Sequence, residues 1–150
     1  MILWFTGQPG SGKTTLCTEL KHKLSFWKHK VVHIDGDNLR DILNNKDYSE
    51  DGRRKNVQFA IDMAKVLDNI GYIVLVSLVS PYRDMRQELK RSRNVSEFYI
   101  HSTRPTEKEQ YWVDDYEPPL TNFTDINADK SIKECVDEIF DVYRQMATLA

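Results

Sequence analysis

The stretch Gly7-Gln8-Pro9-Gly10-Ser11-Gly12-Lys13-Thr14-Thr15 follows the apolar run Ile2 to Thr6 and opens a helical pattern that continues to about Phe26. Its three glycines let the backbone curl tightly, and a helix starting at Lys13 aims its unbonded N–H groups into the curl. The positive end of that helix favours an anion. The spacing fits G-x-x-x-x-G-K-[ST], in which the loop backbone cradles phosphates, the lysine reaches the β- and γ-oxygens, and the hydroxyl ligates Mg²⁺. Gly7, Gly10, Ser11, Gly12, Lys13, Thr14 and Thr15 are therefore expected to hold the triphosphate of ATP, with Thr14 on the metal. A strand, a phosphate loop and a helix in that order require an α/β layer structure.

The rest of the chain alternates in the same way. "KVVHI" reads as a second strand, followed by a short helix from Asn38 to Leu43. Ser49 can cap a long helix through Asp68, with Phe59, Met63, Val66, Leu67 and Ile70 on its apolar side and Gly71 as its stop. The β-branched run Tyr72 to Val79 suits a central parallel strand covered on both faces. A charged surface helix over "RDMRQELKRSR", a strand over "SEFYIHS" and a terminal helix from Ser131 to Met146 complete the pattern. Between the last two, Thr103 to Asp129 is irregular, with "TNFTDI" the one strand candidate. The fold expected is a P-loop kinase-like three-layer sandwich with a mainly parallel central sheet. At 150 residues, the chain is read as a single domain over 1–150.

Charge narrows the partners. Twenty-one Lys and Arg against 23 Asp and Glu give a net charge of -2, so no basic field drives binding to nucleic acid or a membrane surface. A small-molecule substrate is favoured. No segment approaches the roughly 20 apolar residues needed to span a bilayer, and a cytoplasmic, reduced setting is expected. Cys17 and Cys135 lack metal or redox spacing and read as helix-packing thiols. His22, His29, His33 and His101 read as surface or packing residues.

"HIDGDNLR" carries the second chemical signal. In an open parallel sheet, ligands bind at the carboxyl ends of strands, and "VVHI" delivers Asp35 and Asp37 to that edge. One carboxylate can serve the metal while the other accepts the proton of an attacking hydroxyl, an arrangement suited to phosphoryl transfer to an alcohol. Asp35 ends the strand as a metal-linked aspartate does. Asp37 has a competing role as the cap of the short helix. Arg40, Arg53 and Arg54 then require an anion, because a guanidinium fork matches phosphate or sulfate; alternatively, "DGRRK" is a solvated helix face. Ser80, Pro81, Tyr82 and Arg83 end the "YIVLVSLV" strand, where a ligand would meet them.

Together, "WFTGQPGSGKTT", "HIDGDNLRDIL", "YSEDGRRKNV", "SLVSPYR" and "YEPP" resemble the adenylylsulfate kinases in order and, up to Arg83, nearly in spacing. The resemblance implies transfer of the γ-phosphate of ATP to the 3′-hydroxyl of adenylyl sulfate, with Mg²⁺, on a P-loop kinase fold. It implies that Lys13 and Thr14 serve ATP and metal, that Asp35 and Asp37 stand at the transfer centre, and that Asp35 joins Thr14 on the metal. By the same resemblance, Arg40, Arg53, Asn56 and the backbone near Val57 hold the acceptor, and Tyr48 takes the place of a base-stacking phenylalanine. Ser80, Pro81 and Tyr82 belong to the acceptor set, Ser80 as a contact. A homodimer is compatible with it.

The chain departs from the family after its fourth strand. Members carry a long lid with an Arg-Asp-Pro-Lys-Gly-Leu-Tyr-like motif, whereas here "FYIHSTRPTEKEQYW" runs straight into "VDDYEPP". Lid closure excludes water and can add a cation to the transferring group. Arg104 and Lys108 are the nearest substitutes, with Tyr111 or Trp112 for base stacking. Two other readings stay open: a kinase of the same build acting on another hydroxyl acceptor, and an ATP-binding protein without turnover.

Overall fold

The computed structural model describes residues 1–28 and 30–149, so His29 lies outside the described residues. Five strands form one sheet: β1 (Ile2–Thr6), β2 (Val31–Asp35), β3 (Ile73–Ser77), β4 (Val95–His101) and β5 (Thr124–Asn127). They pair in the order β2-β3-β1-β4-β5, and every pairing is parallel. The middle strand is β1, with β3 internal beside it; all five β1 residues are buried, as a strand covered on both faces requires.

Helices cover both faces. Leu3, Phe5, Phe98 and Ile100 pack against α1 (Lys13–Ser25) and α5 (Ile132–Leu149), including the buried thiols Cys17 and Cys135. On the opposite face Ile2, Trp4, Val74 and Val76 meet α2 (Gly36–Leu43), α3 (Glu50–Asn69) and α4 (Arg83–Ser92). The chain thus leaves β1 toward one layer and β3 toward the other. Where neighbouring strands diverge in this way, a crevice opens at their carboxyl ends.

Three details differ from the sequence expectation. Helix α3 is capped by Ser49 as expected, its side chain accepting from Gly52 N, but the face it buries differs in part. It buries Val57, Ala60, Ile61 and Ala64, while Phe59, Val66 and Ile70 are 41–60% exposed. Ala60 and Ala64 let the helix approach a sheet face already filled by Trp4, and the larger side chains take the flanks. Helix α2 begins at Gly36, two residues early, and its cap is Asp35, not Asp37. The charged helix α4 also sends one arginine inward.

That residue is Arg86, fully buried with Glu97 of β4; Nε donates to Glu97 Oε2 at 2.7 Å, and Nη1 donates to the Ser80 carbonyl at 2.6 Å. Nη2 donates to the Glu117 carbonyl, and Lys90 holds the second Glu97 oxygen at 2.6 Å. The network ties the turn after β3 to β4 and to the segment that returns to β5. Removing Arg86 would leave the buried Glu97 carboxylate to Lys90 alone and deprive the Ser80 and Glu117 carbonyls of their donor. Arg86→Ala should therefore cost about 3–5 kcal/mol in urea unfolding; a loss below about 1 kcal/mol would show that the network is dispensable.

Candidate active site

The loop after β1 is built for close approach. Gly10 and Gly12 have φ of 79° and 108°, which side-chain-bearing residues rarely adopt, and a Cβ on Gly10 would lie 2.6 Å from Thr106 Oγ1. Gly12 caps α1 without a side-chain hydrogen bond, and the first turn of α1 holds no acidic residue, so its N–H groups face the crevice uncontested. Lys13 folds back onto this loop: Nζ donates to the carbonyls of Gly7 and Gln8, each at 2.8 Å, and to Ser11 Oγ at 3.3 Å. Gly7 and Ser11 thus sit behind the cradle, whereas Gly10, Gly12, Thr14 and Thr15 line it. Burial lowers the Lys13 ammonium to about 8; Asp37 raises it and Lys108 adds to the lowering.

Asp35 joins three segments. Its Oδ1 accepts from Thr14 Oγ1 at 2.7 Å and from Ser77 Oγ at 3.0 Å, and its Oδ2 accepts from Asn38 N at 3.3 Å. Burial works against its charge, but the hydrogen bonds from Thr14, Asn38 and Ser77 outweigh it and hold the carboxyl below its usual range. Behind Ser77, at 2.6 Å, stands His33 Nε2. Because the Ser77 hydroxyl is directed to Asp35, the imidazole is the donor in that contact. Neither Ser77 nor His33 stood out in the sequence; only the parallel register, with Asp35 opposite Ser77, brings them together.

One cleft of about 710 Å³ runs from Thr14 past Asp35 and Asp37 to Arg53, Asn56 and the Ser80-Pro81 turn. Since Asp35 caps α2, the Asp37 carboxylate is released from that role and stands 87% exposed, 3.9 Å from Lys108 Nζ. Arg53 faces the cleft and reaches to 4.0 Å from Asp115. Asn56 is buried with its Oδ1 unbonded, an acceptor awaiting a donor. Val57 contributes to the cleft wall from the core side, and Ser80 holds the left-handed φ of 40° through Trp4 Nε1, which donates to its Oγ at 2.9 Å.

Four residues depart from the roles expected of them. Arg40 borders the cleft, but its guanidinium donates to the Asn45 and Asp47 carbonyls and lies 4.1 Å over the Tyr48 ring, so it shapes the loop that presents Tyr48. Arg54 is held by Glu50 and Asp84. Tyr82 is buried beneath Arg54 and does not line the cleft. Arg104 turns to the Ala128 carbonyl and Asp129, leaving Lys108 as the lid-side cation. Tyr111 and Trp112 both border the cleft.

The family model for adenylylsulphate kinase matches residues 1–110. The chain belongs to the adenylylsulphate kinase family. It is 33% identical over 158 residues to the adenylyl-sulfate kinase of Synechococcus sp., covering 91% of this chain and 90% of that one. With the adenylyl-sulfate kinase of Oceanobacillus iheyensis it shares 36% identity over 98 residues, 65% of this chain and 49% of that one. The chain spans about half the length of several curated relatives it matches. The APS kinase CysC of Mycobacterium tuberculosis, in a mutant form, superposes with a TM-score of 0.78 at 26% identity, covering 95% of this chain and 96% of that one. The family match ends at residue 110, within the 3-10 turn Glu107–Tyr111 that follows β4.

A lysine that titrates near 8 in the free loop and gains phosphate oxygens on binding must take up a proton above that pH. Calorimetry of ATP binding in two buffers of different ionisation enthalpy should show proton uptake at pH 9 and little at pH 6.5, with affinity falling as pH rises past about 8. No uptake at pH 9 would contradict the lowering of the Lys13 ammonium by burial in the free loop.

Proposed function

We propose that the protein transfers the γ-phosphoryl group of ATP to the 3′-hydroxyl of adenylyl sulfate. The observation that carries this reading is the single cleft joining the phosphate loop to Asp37, Arg53 and Asn56, in a chain of this family. Thr14 Oγ1 and Asp35 Oδ1 stand 2.7 Å apart and offer hard oxygen donors suited to Mg²⁺. Mg²⁺ takes most of its ligands from phosphate and water, so one or two protein oxygens suffice to place it. When bound, Mg²⁺ neutralises charge on the β- and γ-phosphates.

The protein's own groups do the remaining work. The loop N–H groups and Lys13 fix the phosphates, and Asp37 accepts the proton of the acceptor hydroxyl. Arg53 grips the acceptor's anionic end, Asn56 Oδ1 accepts from its base, and Tyr48, backed by Arg40, offers a stacking face. The Ser80-Pro81 turn, locked by Trp4 and Arg86, closes the wall of the acceptor side. No described helix is long and apolar enough to cross a membrane, and the two free buried thiols fit a cytoplasmic setting. We read residues 1–150 as one kinase domain. A second reading, transfer to another small hydroxyl acceptor, has one observation in its favour: Tyr48 is 62% exposed, so the stacking face is open to acceptors of other shapes.

Purified protein with Mg²⁺, ATP and adenylyl sulfate should form ADP and 3′-phosphoadenylyl sulfate by mass-resolved product analysis, and Lys13→Ala should abolish it. Asp37→Asn should lower kcat by about 10²–10⁴-fold with ATP affinity nearly unchanged. ATP bound without this product would overturn the acceptor assignment. Arg53→Ala should raise the acceptor's KM and spare that of ATP; unchanged acceptor kinetics would remove Arg53 from the site.

A further inference from the structure

The segment replacing the lid is fastened to the phosphate loop by a residue that no phosphate contact requires. Gln8 sits at a variable position of the motif, and its side-chain amide bonds both backbone groups of Val113: Nε2 donates to the Val113 carbonyl and Val113 N donates to Oε1, each at 2.9 Å. Alongside, Trp112 Nε1 donates to the Pro9 carbonyl at 3.1 Å. One turn back, Glu107–Tyr111 form a short 3-10 helix capped by Thr106, whose Oγ1 accepts from Lys108 N. Thr106 and the Lys108 Cβ rest directly over Gly10. The result is a strap lying across the loop, with Lys108 Nζ at the cleft beside Asp37.

An exposed ion pair at 3.9 Å holds nothing by itself. The position of Lys108 is therefore set by what fastens the strap, and beside the Trp112 bond to Pro9 the paired hydrogen bonds of Gln8 are its partly buried, two-point contact with the loop. We infer that Gln8 is a positioning residue that pins the strap to the phosphate loop, so that Lys108 stands ready over the γ-phosphate without a closing motion. A family lid must fold over its substrates to deliver a cation; here the strap is docked in the free protein, and Lys108 exchanges Asp37 for the incoming phosphoryl oxygens. That exchange also frees Asp37 for the acceptor hydroxyl. The inference rests on the phosphoryl-transfer reading of the cleft, though not on the identity of the acceptor.

The test uses ATP and ADP binding, which needs no acceptor, together with amide exchange. In the intact protein, the Val113 N–H should be protected, and Gln8→Leu should release it while the amides of Phe5 and Val76 stay protected, which shows the variant to be folded. The ratio of ATP to ADP affinity should fall about tenfold in Lys108→Ala and by a similar factor in Gln8→Leu. It should fall no further when the two are combined, because unpinning has no further effect once the cation is gone. Lys108→Arg should keep most of the ratio. An unprotected Val113 in the intact protein, an unchanged ratio in Gln8→Leu, or losses that multiply in the double variant would overturn the inference. Absence of transfer to adenylyl sulfate would count against the acceptor assignment and leave these binding outcomes to decide the role of Gln8.

Discussion

The carboxylate of Asp35 is the point on which the site depends. It ends β2, caps α2 through Asn38 N, and takes hydroxyl bonds from Thr14 of α1 and Ser77 of β3. Four segments from both sides of the sheet are thereby indexed to one charged group. Because the group is only half-buried and richly bonded, it stays ionised without the full desolvation cost of a buried charge. Its use as a cap has a second effect: it relieves Asp37 of that task and leaves the second carboxylate free at the cleft.

The opposite wall is held by polar groups that are deeply buried. Ser80 adopts a left-handed backbone conformation, and Trp4 and Arg86 hold the turn from below. A strained residue persists only where its surroundings over-determine it, and such positions gather at ligand sites. Arg86 also bonds Glu97 and the Glu117 carbonyl, so the acceptor wall and the strap's return share one anchor. The cleft between these walls is consequently set by the sheet and the buried groups behind it.

Legibility in the sequence followed contact range. The phosphate loop could be read directly because its chemistry lies within nine consecutive residues, and the same is true of the Asp35-Gly36-Asp37 turn. The division of labour between the two aspartates could not, since it turns on a helix start shifted by two residues. The α3 stripe is legible only in part: Met63 and Leu67 pack against the core, but Phe59, Val66 and Ile70 are displaced to the flanks because Ala60 and Ala64 allow closer packing. Ser77 and His33 enter the site through strand register, and Gln8 meets Val113 across 105 positions, a pairing no local pattern signals. Arg40 carries the right charge near the right place, but nearby carbonyls of its own loop claim it first.

The central claim is that one cleft receives two ligands side by side, a nucleoside triphosphate on the loop and an anionic acceptor against Arg53 and Asn56. Its most direct measurement is calorimetric titration of adenylyl sulfate into protein saturated with Mg²⁺ and a non-hydrolysable ATP analogue, with the bound analogue followed by phosphorus NMR. The account predicts one acceptor bound per chain while the analogue remains in place. Displacement of the analogue by adenylyl sulfate, or no acceptor binding at all, would contradict it.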